Sequence, residues 1–364
     1  MRNLTIGKWL SLASVAAVAI ALPYIVPSFF VNMATQMLFL GLFALSINLI
    51  AGYAGMVTLG QAGVLGIAGY GIAIAYSRLD FSLGVSALLA ILSTIVVAAF
   101  FGLLLVRATG VYFLMITLAQ GMVVWGVAQR FTVLTGGDNG LRGISRPPFA
   151  TEYWAYYYFS LLVVAVCVFL IFRIVRSPFG LSLKGIREAE TRMPALGYDV
   201  RRIKLLAFVV SGTFAGVAGL LLVMYNNFFS PPSVYVKASA EGLLMSILGG
   251  VGTITGAFVG SGVFVFVTNY VSGFIERWPT LLGLIFVLTI LFAPDGIVGS
   301  WQRLVWAPLL RRFGDAAAAE LIEIEAGGGG LLTGGEAKGV RPDPETDSVT
   351  SVTPESTAER QSRQ

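Results

Sequence analysis

Histidine is absent and cysteine occurs once, at Cys167, so a histidine general base, a Cys/His metal cluster and an intrachain disulfide are all out of reach. No two carboxylates stand close together inside the long apolar stretches. The phosphate loop G-x-x-x-x-G-K-[ST] does not occur, because Gly7-Lys8 is followed by Trp9 and no other lysine follows a glycine in the required frame. Hydrolase, metalloprotease and haem chemistry are therefore disfavoured. If nucleotide energy drives this protein, another chain must bind the nucleotide.

The chemistry left is recognition and movement. Ser177 to Val200 is a charged segment long enough for a short helix that opens after Pro178 and stops near Gly197. Such a helix, lying along a membrane surface with its charges outward, can dock in the groove of a partner and move with it; a plain anchoring loop is the simpler reading of the same residues. Thr135 to Leu141 holds three glycines with Asp138 and Asn139, a turn composition. Glu241 is the one carboxylate that opens a long uncharged segment, which suggests a pathway residue, although Lys237 four positions earlier offers an ordinary helical ion pair. Tyr53, Tyr70 and Tyr112 can flank a polar solute or simply anchor helix ends at the lipid interface.

These residues must be positioned by helices in lipid. The 364 residues are 56% hydrophobic and 12% charged, with mean hydropathy +0.82, too apolar for one water-soluble core. No charged side chain lies between Lys8 and Arg78, Phe81 and Val106, Leu205 and Val236, or Gly242 and Ile275. We read spans at about 9–27, 32–50, 57–76, 82–106, 111–130, 154–174, 204–226, 239–256, 257–276 and 278–294. The fold class is thus an all-α polytopic bundle of about 8–10 spans; the lower number applies if the glycine-interrupted stretches 52–70 and 239–262 are broken or re-entrant. Ala19-Ile20-Ala21 has the form of a signal-peptide cleavage site, but the apolar run continues to Phe30 and further spans follow at once.

Arg173, Arg176, Lys184, Arg187, Arg192, Arg201, Arg202 and Lys204 crowd one connection against Glu188, Glu190 and Asp199, which places that connection and both termini in the cytoplasm. The loops at 130–153 and 225–235 then face outward. From Gly314 onward there are ten acids and four bases, so the net charge of +5 hides a strongly basic membrane body; its excess reads as topology and not as nucleic-acid binding. The expected organisation is a membrane domain over 1–299, a cytoplasmic juxtamembrane segment over 300–325 and a disordered tail over 326–364. Gly212, Gly216 and Gly219 share one helix face, as do Gly256 and Gly260, allowing close packing. Gly52-x-x-Gly55-x-x-Thr58 and Gly249-x-x-Gly252-x-x-Thr255 share a spacing that suggests an internal repeat with broken helices.

Arg187-Glu188-Ala189-Glu190 followed by Ala195-Leu196-Gly197 resembles the EAA-type coupling loop of ABC importer permeases, and Arg187 to Phe208 is similar to the branched-chain amino acid permease family of LivM type. Gly52-Tyr-Ala-Gly55 through Leu59-Gly60-Gln61-Ala62, Gly110-Val-Tyr-Phe113, Leu134 to Leu141, Leu248 to Gly252 and Phe292 to Gly296 agree with that family in order and spacing, over roughly residues 33 to 299. The resemblance implies a transport subunit that is not itself an enzyme. It implies an ATPase-coupling loop at Arg187 to Glu190 and Ala195 to Gly197, and a solute pathway or outer gate among Tyr53, Gln61, Tyr112, Gly136, Gly137, Asp138, Asn139 and Glu241. It further implies two ATPase subunits carrying ATP and magnesium, a second homologous permease, an external solute-binding protein, and a bacterial inner membrane. Gln61 stands where the family often has histidine, and Pro194 sits inside the coupling loop where a helix former is more usual, which should kink or shorten its helix. A self-sufficient carrier or channel for a small neutral solute such as urea or an amide is the competing reading; its ion ligands or proton relays are nearly absent from the spans.

Overall fold

Along the helix Leu83–Leu105, Ser86, Ala90, Thr94, Ala98 and Gly102 recur every four residues and are buried, while Leu88, Leu92, Val96, Phe100 and Leu103 are exposed. A helix in water does the opposite. Large apolar side chains outside and small ones inside mean that lipid is the solvent and that backbone-to-backbone approach holds the helices together. The protein is a multi-pass membrane protein.

The structure is a computed structural model that describes residues 19–144, 146–274, 277–293 and 295–301. The greater part of the expected first span, the juxtamembrane segment beyond 301 and the whole 326–364 tail lie outside the described residues. The main helices are α1 (Ser28–Asn48), α2 (Gln61–Ser77), α3 (Leu83–Leu105), α4 (Gly110–Arg130), α5 (Tyr153–Val175), α6 (Pro178–Ala189), α7 (Val200–Asn226), α8 (Val236–Gly249), α9 (Ile254–Asn269), α10 (Trp278–Phe292) and α11 (Gly296–Trp301). Among the described residues, six helical stretches are long and apolar enough to cross a membrane unaided: 28–53, α3, α4, α5, α7 and 254–273. Three further expected spans fall on shorter helices: α2 has 17 residues, α8 has 14 and α10, apolar over 278–289, has 15. A helical stretch at 19–25 precedes α1 and is held by α5, where the Tyr157 and Tyr158 hydroxyls donate to the carbonyls of Ala19 and Ile20.

The centre is built from α1, α2 and α7. In the most apolar window of each helix, 72% of the α1 stretch and 67% of α7 is buried, against 28%, 28% and 22% for α3, α4 and α5, which therefore form the lipid-facing rim. The glycine face of α7 packs as expected, with Gly212 against Val64 and Ala98, Gly216 against Thr94 and Ala68, and Gly219 against the Leu65 backbone. Gly256 and Gly260 let α9 touch the backbone of α8 at Gly249 and Met245. Cys167 is buried on α5 with a free thiol.

Both stretches flagged as broken are broken. α1 runs into a π-helical turn, Leu49–Tyr53, and residues 54–60 then return without helix before α2 starts at Gln61. The 239–262 stretch is interrupted at 250–253, where Gly250 (φ 129°) and Gly252 (φ 87°) take backbone angles that a side chain would resist. Non-helical backbone at membrane depth persists only where protein covers it. Ala54, Met56, Thr58 and Gly60 are accordingly buried.

At the end of the bundle away from α6, strand β1 (Leu141–Arg142) pairs antiparallel with β2 (Phe228–Phe229). The Arg146 guanidinium lies over the rings of Tyr156 and Tyr225 and donates to the Tyr225 carbonyl at 3.2 Å, closing the loop that precedes α5 onto the end of α7.

Candidate functional site

The basic connection folds as an elbow. The Ser177 hydroxyl accepts from the Gly180 amide at 3.5 Å and Pro178 occupies the first helical position, so α6 starts where those residues direct it. Gly180, Ser182, Leu183 and Ile186 face the bundle. α6 ends at Ala189, short of the expected stop near Gly197; it is shortened and not kinked, and Pro194 opens a separate 3-10 turn, Pro194–Leu196, that Gly197 closes in the left-handed region. Met193 is buried, with its sulfur packed on Gly185, and anchors this turn to α6. Pro194 to Tyr198 project from the anchor; Leu196 is 70% exposed and Tyr198 47%.

The charges of the elbow divide into two sets. Glu188 is exposed. Glu190 instead reaches back to Lys204, whose side chain is 2% exposed, at 2.5 Å, and ties the end of α6 to the foot of α7. Asp199 caps α7 by accepting from the Arg202 amide at 3.2 Å.

Arg187 is exposed, and its tip reaches back to the bundle. Its Nη1 donates to the Gly52 carbonyl at 2.6 Å, inside the π-helical turn, and its side chain passes over Gly55. Beneath it the two glycine motifs lie against each other: a Cβ built on Gly52 would stand 2.5 Å from the Gly252 nitrogen. Asn48 staples the two breaks, accepting from the Gly252 amide at 2.7 Å and donating to the Thr253 carbonyl at 2.7 Å. One guanidinium and one amide thus connect the elbow to both interrupted helices. Tyr53 is buried in the same turn.

Gln61 begins α2 deep in the bundle, where its Nε2 donates to the Ser211 hydroxyl at 2.7 Å and Ser211 donates to the Ser46 carbonyl at 2.6 Å. The Ala62 amide donates to Ser239 on α8 at 2.9 Å. Gln61 Oε1 and both amide atoms of buried Gln120 have no hydrogen-bond partner among the described residues. Glu241 and Lys237 line a cleft of about 380 Å³ at the end opposite the elbow, 3.8 Å apart.

The remaining flagged residues lie apart from this centre. Gly136 and Gly137 take left-handed angles beside β1, and Asp138 accepts from Gln129, so this loop is fixed on the end of α4; Asn139 closes its short 3-10 turn. Tyr112 is 73% exposed on the first turn of α4 and is not brought to Gln61 or Glu241. Asn48 and Ser211 stand outside the residues singled out from the sequence, and Lys204 is read there only as a topology charge. An amide or an ammonium within or beside an apolar run is the signal that could have found them.

Residues 29–294 match the family model described as the branched-chain amino acid transport system / permease component. The chain belongs to that family. It is 29% identical to the high-affinity branched-chain amino acid transport system permease protein LivM of Escherichia coli over 323 residues, covering 81% of this chain and 76% of that one. It is 29% identical to the permease protein BraD of Pseudomonas aeruginosa over 149 residues, 39% of this chain and 48% of that one. It is 27% identical over 155 residues to the probable permease LivH of Methanocaldococcus jannaschii, 40% of this chain and 49% of that one. No solved structure matches significantly. As a permease component, the chain is a transport subunit of an ABC-type importer.

Proposed function

We propose that this permease subunit translocates branched-chain amino acids or closely related solutes and receives its energy through the elbow. Of two ATPase subunits, with ATP and magnesium on them, one docks on the exposed 194–198 turn and Glu188 and the other on the partner permease. A second homologous permease completes the pathway, and an external binding protein delivers solute at the opposite end, near residues 136–139. The elbow and both termini face the cytoplasm of a cell with this chain in its inner membrane. The observation that carries this reading is the Arg187 bond to Gly52, which ties the docking helix to a junction that Asn48 extends to the second helix break. A displacement of α6 by a partner is transmitted to both breaks together, because close-packed breaks shift between arrangements and do not deform smoothly.

The test is uptake of radiolabelled leucine into proteoliposomes holding the permease with its genomic neighbours, with and without the ATPase. ATP-dependent uptake that Glu188→Arg or Gly197→Asp abolishes supports the proposal. Accumulation by the permease alone rejects it and favours an autonomous carrier.

A further inference from the structure

The cleft opposite the elbow is lined by five of the main helices, and its chemistry is divided. Leu40 and Phe43 of α1, Leu65 of α2 and Met245 of α8 supply an apolar wall; Asn226, Ser233, Lys237 and Glu241 supply a polar rim. At about 380 Å³ its volume lies within the range of small-molecule sites. Glu241 is 28% exposed at the side chain and Lys237 72%, so the carboxylate sits low beside the apolar wall while the ammonium stands at the mouth. Their separation of 3.8 Å exceeds hydrogen-bond length, and the flexible lysine stem can swing aside.

From this arrangement we infer a binding site for the zwitterionic head group of an α-amino acid with an aliphatic side chain. The ligand ammonium takes the place of the lysine on Glu241, Lys237 turns to the ligand carboxylate, and the hydrocarbon side chain lies against Leu40, Phe43, Leu65 and Met245. Solutes carrying only one of the two charges leave either Glu241 or Lys237 uncompensated, and that is the basis of selection. The inference rests on the importer reading above, because it assigns the cleft to that subunit's cargo.

The experiment is equilibrium binding of radiolabelled leucine to the permease purified with its partner permease and ATPases in nanodiscs, with the binding protein omitted so that it cannot hold the probe. Competitors are 3-methylbutylamine, which lacks the carboxylate, and 4-methylpentanoate, which lacks the amine. Glu241→Gln is expected to weaken leucine about tenfold or more, the loss of one charge-assisted contact, and to remove competition by the amine while sparing the acid. Lys237→Met is expected to show the mirror pattern. Absence of leucine binding by the unaltered complex, affinities within about twofold for both variants, or equal losses for both competitors overturns the site. ATP dependence of leucine uptake, measured on the same complex in vesicles with the binding protein restored, separates the two claims. Uptake that needs ATP while Glu241→Gln binds normally sinks the cleft alone, whereas leucine held by the cleft with ATP-independent uptake sinks the importer reading alone.

Discussion

Replacing Arg187 by methionine keeps the length and apolar stem of the side chain and deletes its donors. The bond lost runs 2.6 Å from a guanidinium to the Gly52 carbonyl. Charge-assisted bonds of this kind contribute about 1.5–3 kcal/mol, and water reaches Arg187, so the lower end applies. About 1.5 kcal/mol is roughly a tenfold change in an equilibrium constant. If that bond couples the elbow to the helix breaks, its loss appears in the ratio of solute moved to ATP hydrolysed and leaves docking intact, because the docking surface proposed above is Leu196, Tyr198 and Glu188. The assay measures leucine uptake and phosphate release in one set of proteoliposomes. The expected result is uptake per ATP down about tenfold with the ATPase still co-purifying, and Arg187→Lys intermediate. An unchanged ratio refutes transmission through this contact; loss of ATPase from the complex refutes it differently, by making Arg187 a docking residue.

Gly52→Ala places a methyl group 2.5 Å from the Gly252 nitrogen, backbone that cannot turn away, and is expected to cost about 1–3 kcal/mol in a detergent unfolding series, with transport lost first. Asn48→Asp keeps the acceptor for the Gly252 amide but sets a carboxylate against the Thr253 carbonyl, so it should lower the same unfolding midpoint more than Asn48→Ala. The Glu190–Lys204 pair predicts an asymmetry: Glu190→Gln strands a buried ammonium at a cost of about 3 kcal/mol, while Lys204→Met leaves a carboxylate that water can reach and costs less. Equal destabilisation by those two variants in a thermal melt would show that Lys204 is hydrated.

Much of the architecture is legible in the sequence because lipid imposes it. Charge-free intervals mark the spans, and the glycine face of α7 is visible from spacing alone, since only small residues permit the approach to Leu65. The interruptions at 49–60 and 250–253 are visible as glycine clusters. That the two clusters meet is not visible, because the contact joins residues about two hundred positions apart through Asn48, a single amide in an apolar run with no period to reveal it. The four-residue ladder of α3 from Ser86 to Gly102 was present in the sequence but is easily lost among larger apolar neighbours. The fate of Pro194 illustrates a different limit. Proline in a helical pattern announces a break, but only the packing of Met193 on Gly185 decides that the broken piece becomes an anchored, outward-facing turn. Of the cleft, Glu241 could be picked out as an isolated carboxylate, whereas its apolar wall is drawn from helices scattered along the chain.

The central claim is that a partner grips the elbow from the cytoplasmic side. A single native thiol makes the direct measurement practicable: Cys167→Ala removes it, and Leu196→Cys restores one at the exposed tip of the turn. The account predicts that a membrane-impermeant maleimide labels this thiol in inverted vesicles but not in intact cells, and that bound ATPase protects it. Labelling from outside intact cells, or labelling indifferent to the ATPase, contradicts the account.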